Sequence, residues 1–212
     1  MSQAVFDALT DQQQQDLRLF AERLANQNRS LNMVAPSTID DLWSRHILDS
    51  LQLAPMAQDL VNALLARQER VSVLDIGTGG GLPAVPLAVL FAQSHNVSMQ
   101  ALDSDRKKIA AIRLMTLGLS APLMLHDHRV ERHEHRHDVV TSRALASLDQ
   151  LLDWSQYCLK PGGVLLLLKG ERFQEEIEVA AARWNFSTEI YPSVTNADAA
   201  VLVISDISPK IA

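Results

Sequence analysis

Residues 71–88, VSVLDIGTGGGLPAVPLA, constrain the chain more than any other stretch. An apolar run through Val71, Val73, Leu74 and Ile76 carries one acid, Asp75, near its end. The run breaks into Gly77, Gly79, Gly80 and Gly81 and then resumes as an apolar segment. Strand, glycine turn and helix in that order form the opening unit of a nucleotide-binding α/β sheet. Glycine is needed there because the chain turns sharply through positive φ and lets a ligand approach the backbone. The stretch therefore predicts a fold that holds an adenosine-containing cofactor.

The rest of the chain continues the pattern. Strand candidates at 71–76, 97–102, 122–126, 138–142, 163–169, 187–191 and 200–205 alternate with helices predicted over 83–92, 105–117, 147–158 and 172–183. The run Val164–Leu168 is wholly apolar, as in a strand covered on both faces. Lys160-Pro161-Gly162-Gly163 reads as a turn between the fourth helix and the fifth strand. The short connection from Pro192 to Ala199 suits an antiparallel hairpin rather than a helical crossover. The predicted architecture over 67–212 is a Rossmann-like, mostly parallel seven-stranded sheet with helices on both faces, the layout of class I methyltransferases. Residues 1–66 read as a helical extension packed on that core. Leu17, Phe20 and Leu24 follow a Thr10 N-cap at helical spacing. A loop covers 29–37, a second helix starts near Thr38 and carries Leu42, Trp43, Ile47, Leu48 and Leu51, and a third begins at Pro55.

Composition narrows the class. At 212 residues the chain fits one domain with a short extension. Its single cysteine, Cys158, fits a reducing compartment. The N-terminus lacks the basic start and apolar core of a signal peptide, and the longest apolar run is too short to cross a bilayer. The expectation is a cytoplasmic enzyme, monomeric and without a membrane partner. A net charge of −6 weighs against a nucleic-acid partner. Arg29, Arg45, Lys107, Lys108 and Arg113 nevertheless supply candidates for a basic face.

Asp103 ends the second strand candidate, where an acid can accept hydrogen bonds from both ribose hydroxyls. The same residue suits the N-cap of the helix over 105–117. The glycine loop alone leaves the cofactor open. Gly79-x-Gly81-x-x-Ala84 also satisfies a dinucleotide fingerprint, so a nicotinamide-dinucleotide oxidoreductase or sensor is the rival. Three features favour S-adenosyl-L-methionine: Asp75 before the first glycine, Pro83 where a pyrophosphate would meet a free helix N-terminus, and the lack of a second domain. A sulfonium cation also suits an acidic loop. His126, His128, His133, His135 and His137 cluster with Asp127 and Glu134. Their spacing matches no closed zinc pattern and no cysteine joins them, so no metal centre is predicted and the stretch reads as a solvated loop.

The chain resembles the small-subunit ribosomal RNA guanine-N7 methyltransferases, the glucose-inhibited division protein B family. The resemblance rests on Arg45-His46-Ile47-Leu48-Asp49-Ser50, Asp75-Ile76-Gly77-Thr78-Gly79, Gly81-Leu82-Pro83, Leu102-Asp103-Ser104, Arg129-Val130-Glu131, Ser142-Arg143-Ala144 and Leu168-Lys169-Gly170. These occur in the family's order over about residues 42–170. It implies that Gly77 and Leu82 contact the cofactor, that Asp103 holds its ribose, that Val130 and Glu131 border its adenine, and that Arg143 reaches the active centre. The implied substrate is 16S ribosomal RNA, free or in a small-subunit assembly intermediate. The chain departs from the family at Gly80, usually proline, at Ala84, usually glycine, and over Asn28–Val34, which lacks the usual aromatic residues. A methyltransferase acting on a small molecule or a protein is the alternative.

Guanine N7 has a free lone pair and no proton to lose, so no general base is predicted. Thr141-Ser142-Arg143-Ala144 carries neither the Asn/Asp-Pro-Pro-aromatic motif of amine methyltransferases nor a cysteine nucleophile. Arg143 and Lys169 are candidates for holding RNA phosphates. For Arg143 the competing reading is a buried ion pair with Asp138 or Asp75, and for Lys169 a solvated strand end. His46 and Asp49, at i and i+3, are expected to hydrogen-bond each other. Calorimetry is expected to show saturable binding of S-adenosylmethionine and none of NAD; saturation by NAD alone overturns this assignment.

Overall fold

The computed structural model describes residues 2–210. Seven strands form one sheet: β1 (Val71–Ile76), β2 (Val97–Leu102), β3 (Met124–His126), β4 (His137–Arg143), β5 (Leu159–Lys169), β6 (Trp184–Pro192) and β7 (Ala200–Pro209). Their spatial order is β3-β2-β1-β4-β5-β7-β6. Strands β1 to β5 pair in parallel, whereas β7 runs antiparallel to both β5 and β6. The chain builds outward from β1 to β3, then reverses to add β4 and β5 on the other side. That switch between β1 and β4 opens a crevice at the strands' carboxyl ends, the usual ligand position in such sheets.

Helices α5 (Ala84–Leu90), α6 (Arg106–Met115), α7 (Leu148–Cys158) and α8 (Phe173–Ala181) cover the sheet. Alternate strand residues feed opposite cores. Val73 and Leu166 join Val85, Leu87 and Ile112 on one side, while Leu74 and Leu167 join Leu148, Leu152 and Leu202 on the other. Both faces of the sheet are thus covered by apolar clusters, as expected of a mostly parallel sheet.

The N-terminal segment adds α1 (Ser2–Asp7) and α2 (Asp11–Asn28). Thr10 caps α2 in a capping box with Gln13, whose amide also donates to the Val89 carbonyl at 2.7 Å. Leu17, Phe20 and Leu24 are fully buried in the same apolar cluster as Val73 and Val85. After the loop, the helix expected from near Thr38 is broken into three short pieces, a 3-10 stretch (Pro36–Asp41), a π-helical turn (Trp43–Leu48) and α3 (Asp49–Leu51). The helix expected from Pro55 is present as α4 (Ala54–Leu65). The Ser50 hydroxyl donates to the His46 carbonyl at 2.7 Å, the kind of competing bond that distorts a helix. A second difference lies in β5. Lys160–Gly163 is not a free turn but a bulged start of the strand, where the register slips between His137 and Val139 of β4. Asp138 causes it by accepting from Lys160 at 2.9 Å and from the Ser72 amide at 2.8 Å.

Phe20→Ala is expected to lower unfolding free energy by about 3–5 kcal/mol in urea titrations, within a single transition. A two-step curve with an unshifted second step would show that the extension folds apart from the sheet.

Candidate functional site

At the carboxyl ends of β1 and β2, backbone geometry and one carboxylate shape a cleft. Gly77, Gly79 and Gly81 all hold positive φ, at 65°, 54° and 83°. Asp103 accepts from the Gly79 amide through one carboxylate oxygen at 2.8 Å and from the Asp105 amide through the other at 2.9 Å. It thereby ties the glycine loop to the end of β2. The cap of α6 belongs to Asp105, which accepts from the Lys107 and Lys108 amides. Asp103 is thus not the N-cap, and it lines the cleft with each oxygen accepting only one bond within the protein.

Ile76, Gly77, Leu102, Asp103, Val130 and Glu131 line this cleft, with Leu145 and Trp154. The Trp154 indole donates to a Glu131 carboxylate oxygen at 3.1 Å, which joins α7 to the turn that carries Val130. Leu145 packs directly on the Gly77 backbone, since a Cβ at Gly77 would lie 2.3 Å from a Leu145 methyl. Apolar walls with two carboxylates suit a flat base carrying hydroxyl and amino donors.

Other expected contacts fall elsewhere. The side chain of Leu82 is buried in the core, and Gly81 faces Val85 and Phe20. Asp75 lies behind the loop, fully buried, with one oxygen accepting from the Thr141 hydroxyl at 2.8 Å and the other without a partner. Burial drives its pKa up to about 7 against the opposing hydrogen bonds. It is a buried brace between β1 and β4.

A second cleft of about 230 Å³ adjoins the first beyond the end of β4, lined by Arg45, His46, Asp49, Arg143 and Thr195 among others. Arg143 pairs with Asp49 at 3.0 Å and donates to His46 Nδ1 at 2.7 Å. Its partners are therefore neither Asp138 nor Asp75, which lie on other parts of the sheet. His46 and Asp49 do not bond each other because Arg143 stands between them. Since His46 Nδ1 accepts, its Nε2 carries the proton and donates to the Thr38 hydroxyl at 2.6 Å. Burial, aided by the Arg143 charge, holds its pKa down near 4. Asp49 also accepts from the Thr195 hydroxyl in the β6–β7 connection. Lys169 is buried rather than solvated. It pairs with Glu176 at 2.5 Å and donates to the Ala146 carbonyl at 2.7 Å, so its charge is neutralised inside the fold.

Residues 13–202 match the family described as rRNA small subunit methyltransferase G. The chain belongs to that family. A family relative named ribosomal RNA small subunit methyltransferase G, from Dinoroseobacter shibae, is 36% identical over 193 residues, covering 90% of this chain and 94% of the relative. One of the same name from Caulobacter vibrioides is 33% identical over 208 residues, covering 97% and 92%. Among solved structures, TrmN from Thermus thermophilus superposes with a TM-score of 0.51 at 21% identity, covering 70% of this chain and 47% of that one. A structure assigned to the class I S-adenosylmethionine-dependent methyltransferases, from Listeria monocytogenes, gives 0.55 at 14% identity, covering 77% and 62%. The fold is that class I fold.

Within the family pattern, the departures have local explanations. Buried Asn28 accepts from the Met33 and Val34 amides at 2.7 and 2.9 Å, turning the segment without the usual aromatics. The Met33 carbonyl then sits 3.2 Å from where a Gly80 Cβ would be. Leu145, Trp154 and Thr195 escaped the sequence reading. Trp154 sits at helical spacing with Leu151 and Cys158, a pattern that looks like core alone.

The unfolded chain releases the Asp75 proton near the model-compound pKa of 3.8, whereas the folded state keeps it to about 7. Between those values the unfolded state binds fewer protons, so stability falls as pH rises, by up to roughly 4 kcal/mol. Asp75→Asn is expected to flatten this decline and raise stability at pH 8 in urea titrations. An unchanged slope would place the proton elsewhere.

Proposed function

We propose that this chain binds S-adenosyl-L-methionine in the cleft beside Gly77 and Asp103 and methylates N7 of a guanine in 16S ribosomal RNA. One observation carries the reading. The family's ordered motifs, distant in sequence, meet around two adjoining clefts at the carboxyl ends of β1, β2 and β4. The cofactor's chemistry fits the first cleft, whose glycine bend carries no side chain and whose Asp103 and Glu131 carboxylates accept hydrogen bonds. When bound, it supplies an electrophilic methyl group on a sulfonium.

The protein's own residues then have three tasks. Asp103 and the glycine loop orient the donor, with Val130 and Glu131 at the base. Arg143 is a positioning residue. By bridging Asp49 and His46 it fixes the Arg45–Ser50 segment, with exposed Arg45, over the mouth of the second cleft. The side chains hold the nucleophile in line with the methyl carbon, an arrangement worth up to about 7–11 kcal/mol in favourable models. With the donor held by Asp103 and the glycine loop, attack by the guanine N7 lone pair would form the N–C bond while the S–C bonding pair stayed on sulfur, and no residue would need to take a proton. His46 supports this economy, since both of its nitrogens are engaged by Arg143 and Thr38 and neither is free as a base. The proposed setting is the cytoplasm, with RNA or a small-subunit intermediate as partner. Among the described residues no helix is long and apolar enough to cross a membrane.

Aniline-cleavage mapping of 16S RNA from cells with and without the protein is expected to show one N7-methylguanine lost with it; an unchanged pattern defeats the substrate assignment. Asp103→Ala is expected to weaken S-adenosylmethionine binding by about 1–3 kcal/mol in calorimetry. Arg143→Ala is expected to slow methylation about tenfold or more at saturating donor while leaving donor affinity nearly constant. A large loss of donor affinity in Arg143→Ala would move that residue into the first cleft.

A further inference from the structure

The chain between β3 and β4 gathers imidazoles that the two clefts leave mostly unused. His126 ends β3, and His128 follows two residues on, so both project from one side of extended backbone. The 3-10 turn Val130–Arg132 then folds the chain back and delivers His133 to the same spot. One potential ligand atom from each of the three rings lies within 4.8 Å of the other two. We propose that His126, His128 and His133 form a binding site for a divalent transition-metal ion of the zinc, cobalt or nickel class, with a fourth position left to water.

The hydrogen bonds around the rings select the ligand atoms. His126 Nε2 meets the Gln100 side-chain oxygen at 2.8 Å, which only accepts, so Nε2 holds the proton and Nδ1 carries the lone pair. His128 Nδ1 likewise meets the Arg129 carbonyl at 3.0 Å, which leaves Nε2 free. His133 Nε2 is bonded to His137 Nε2 at 2.8 Å, and His133 Nδ1 is buried with no partner. Each ring thus has one nitrogen bound within the protein and one available, the arrangement by which metal-ligating histidines are oriented. An unpartnered buried nitrogen is costly, and a metal ion supplies the missing bond. Distances between ring centres agree. Metal–nitrogen bonds of about 2.0–2.1 Å in a tetrahedral site place imidazole centres roughly 5.2 Å apart. The observed separations are 5.6, 5.0 and 5.4 Å. Imidazole sets of this kind suit zinc, nickel and cobalt better than magnesium or calcium. Linear spacing alone does not show this grouping, because the 3-10 turn is what closes the set.

The test uses full-length, tag-free protein stripped with EDTA and titrated with zinc ion alone. A single equivalent is expected to bind saturably, and cobalt ion is expected to give the intense visible absorption of a tetrahedral site. His128→Gln, at a partly exposed position, is expected to weaken zinc binding about tenfold or more. His126→Gln provides a second variant, with melting in EDTA reporting that each variant folds. His135→Gln changes an exposed histidine outside the set and is expected to leave affinity nearly constant. Absence of a saturable equivalent, or equal losses in His135→Gln and His128→Gln, overturns the site and leaves only adventitious binding by a histidine-rich surface.

Discussion

The bond between the Gly79 amide and the Asp103 carboxylate is the contact on which the cleft depends. A loop with three positive-φ glycines has many accessible conformations and loses much entropy when ordered. Asp103 selects one by holding the loop with one oxygen and the start of the β2–α6 connection with the other. The loop is further held on the side away from the cleft, where Phe20 and Val85 approach Gly81 and the Met33 carbonyl approaches Gly80. The helical extension is therefore part of the site's support, and its apolar residues share the cluster that packs one face of the sheet.

A second set of polar contacts joins the extension to the sheet at the neighbouring cleft. Arg143 leaves β4 and reaches the Asp49 carboxylate, the His46 ring and the Arg45 carbonyl. Asp49 in turn reaches Thr195, and Gln52 accepts from the Val194 amide at 3.1 Å. Three segments far apart in the chain converge on one short helical stretch. Partly buried charges remain there because each has an opposite charge or a hydrogen-bond donor at contact distance. Lys169 illustrates the same rule on the other side of Arg143. Its ammonium is balanced by Glu176 and anchors the Ala144–Ser147 bend that carries Leu145 over Gly77.

The order of elements, the parallel sheet and the closing hairpin were legible in the sequence because each depends on local pattern: apolar runs of strand length, helical spacing, and connection lengths too short for a crossover. Gly77 and Asp103 were legible as cleft residues for a related reason, since strand ends in this topology converge on one side, whereas Val130 and Glu131 were expected there only from the family resemblance. Arg143 was legible as important but not in its partners. A guanidinium at the end of β4 could reach any of several acids, and only the path of the Pro36–Leu51 segment determined that Asp49 arrives first. The burial of the Asp75 and Leu82 side chains was not legible, because adjacency to a glycine loop in sequence says nothing about which side of the backbone a side chain takes.

Sequence by itself determined the class of fold and the position of the cleft beside the glycine loop, because backbone sterics and side-chain periodicity act over a few residues and leave a readable imprint; the family was legible through its ordered motifs. Tertiary structure alone decided which charges meet and which stay neutral. It set the raised pKa of buried Asp75, the coupling of Arg143 to His46 and Asp49, and the gathering of His126, His128 and His133. These outcomes depend on burial and on distances of a few ångströms between residues remote in the chain, and linear spacing encodes neither.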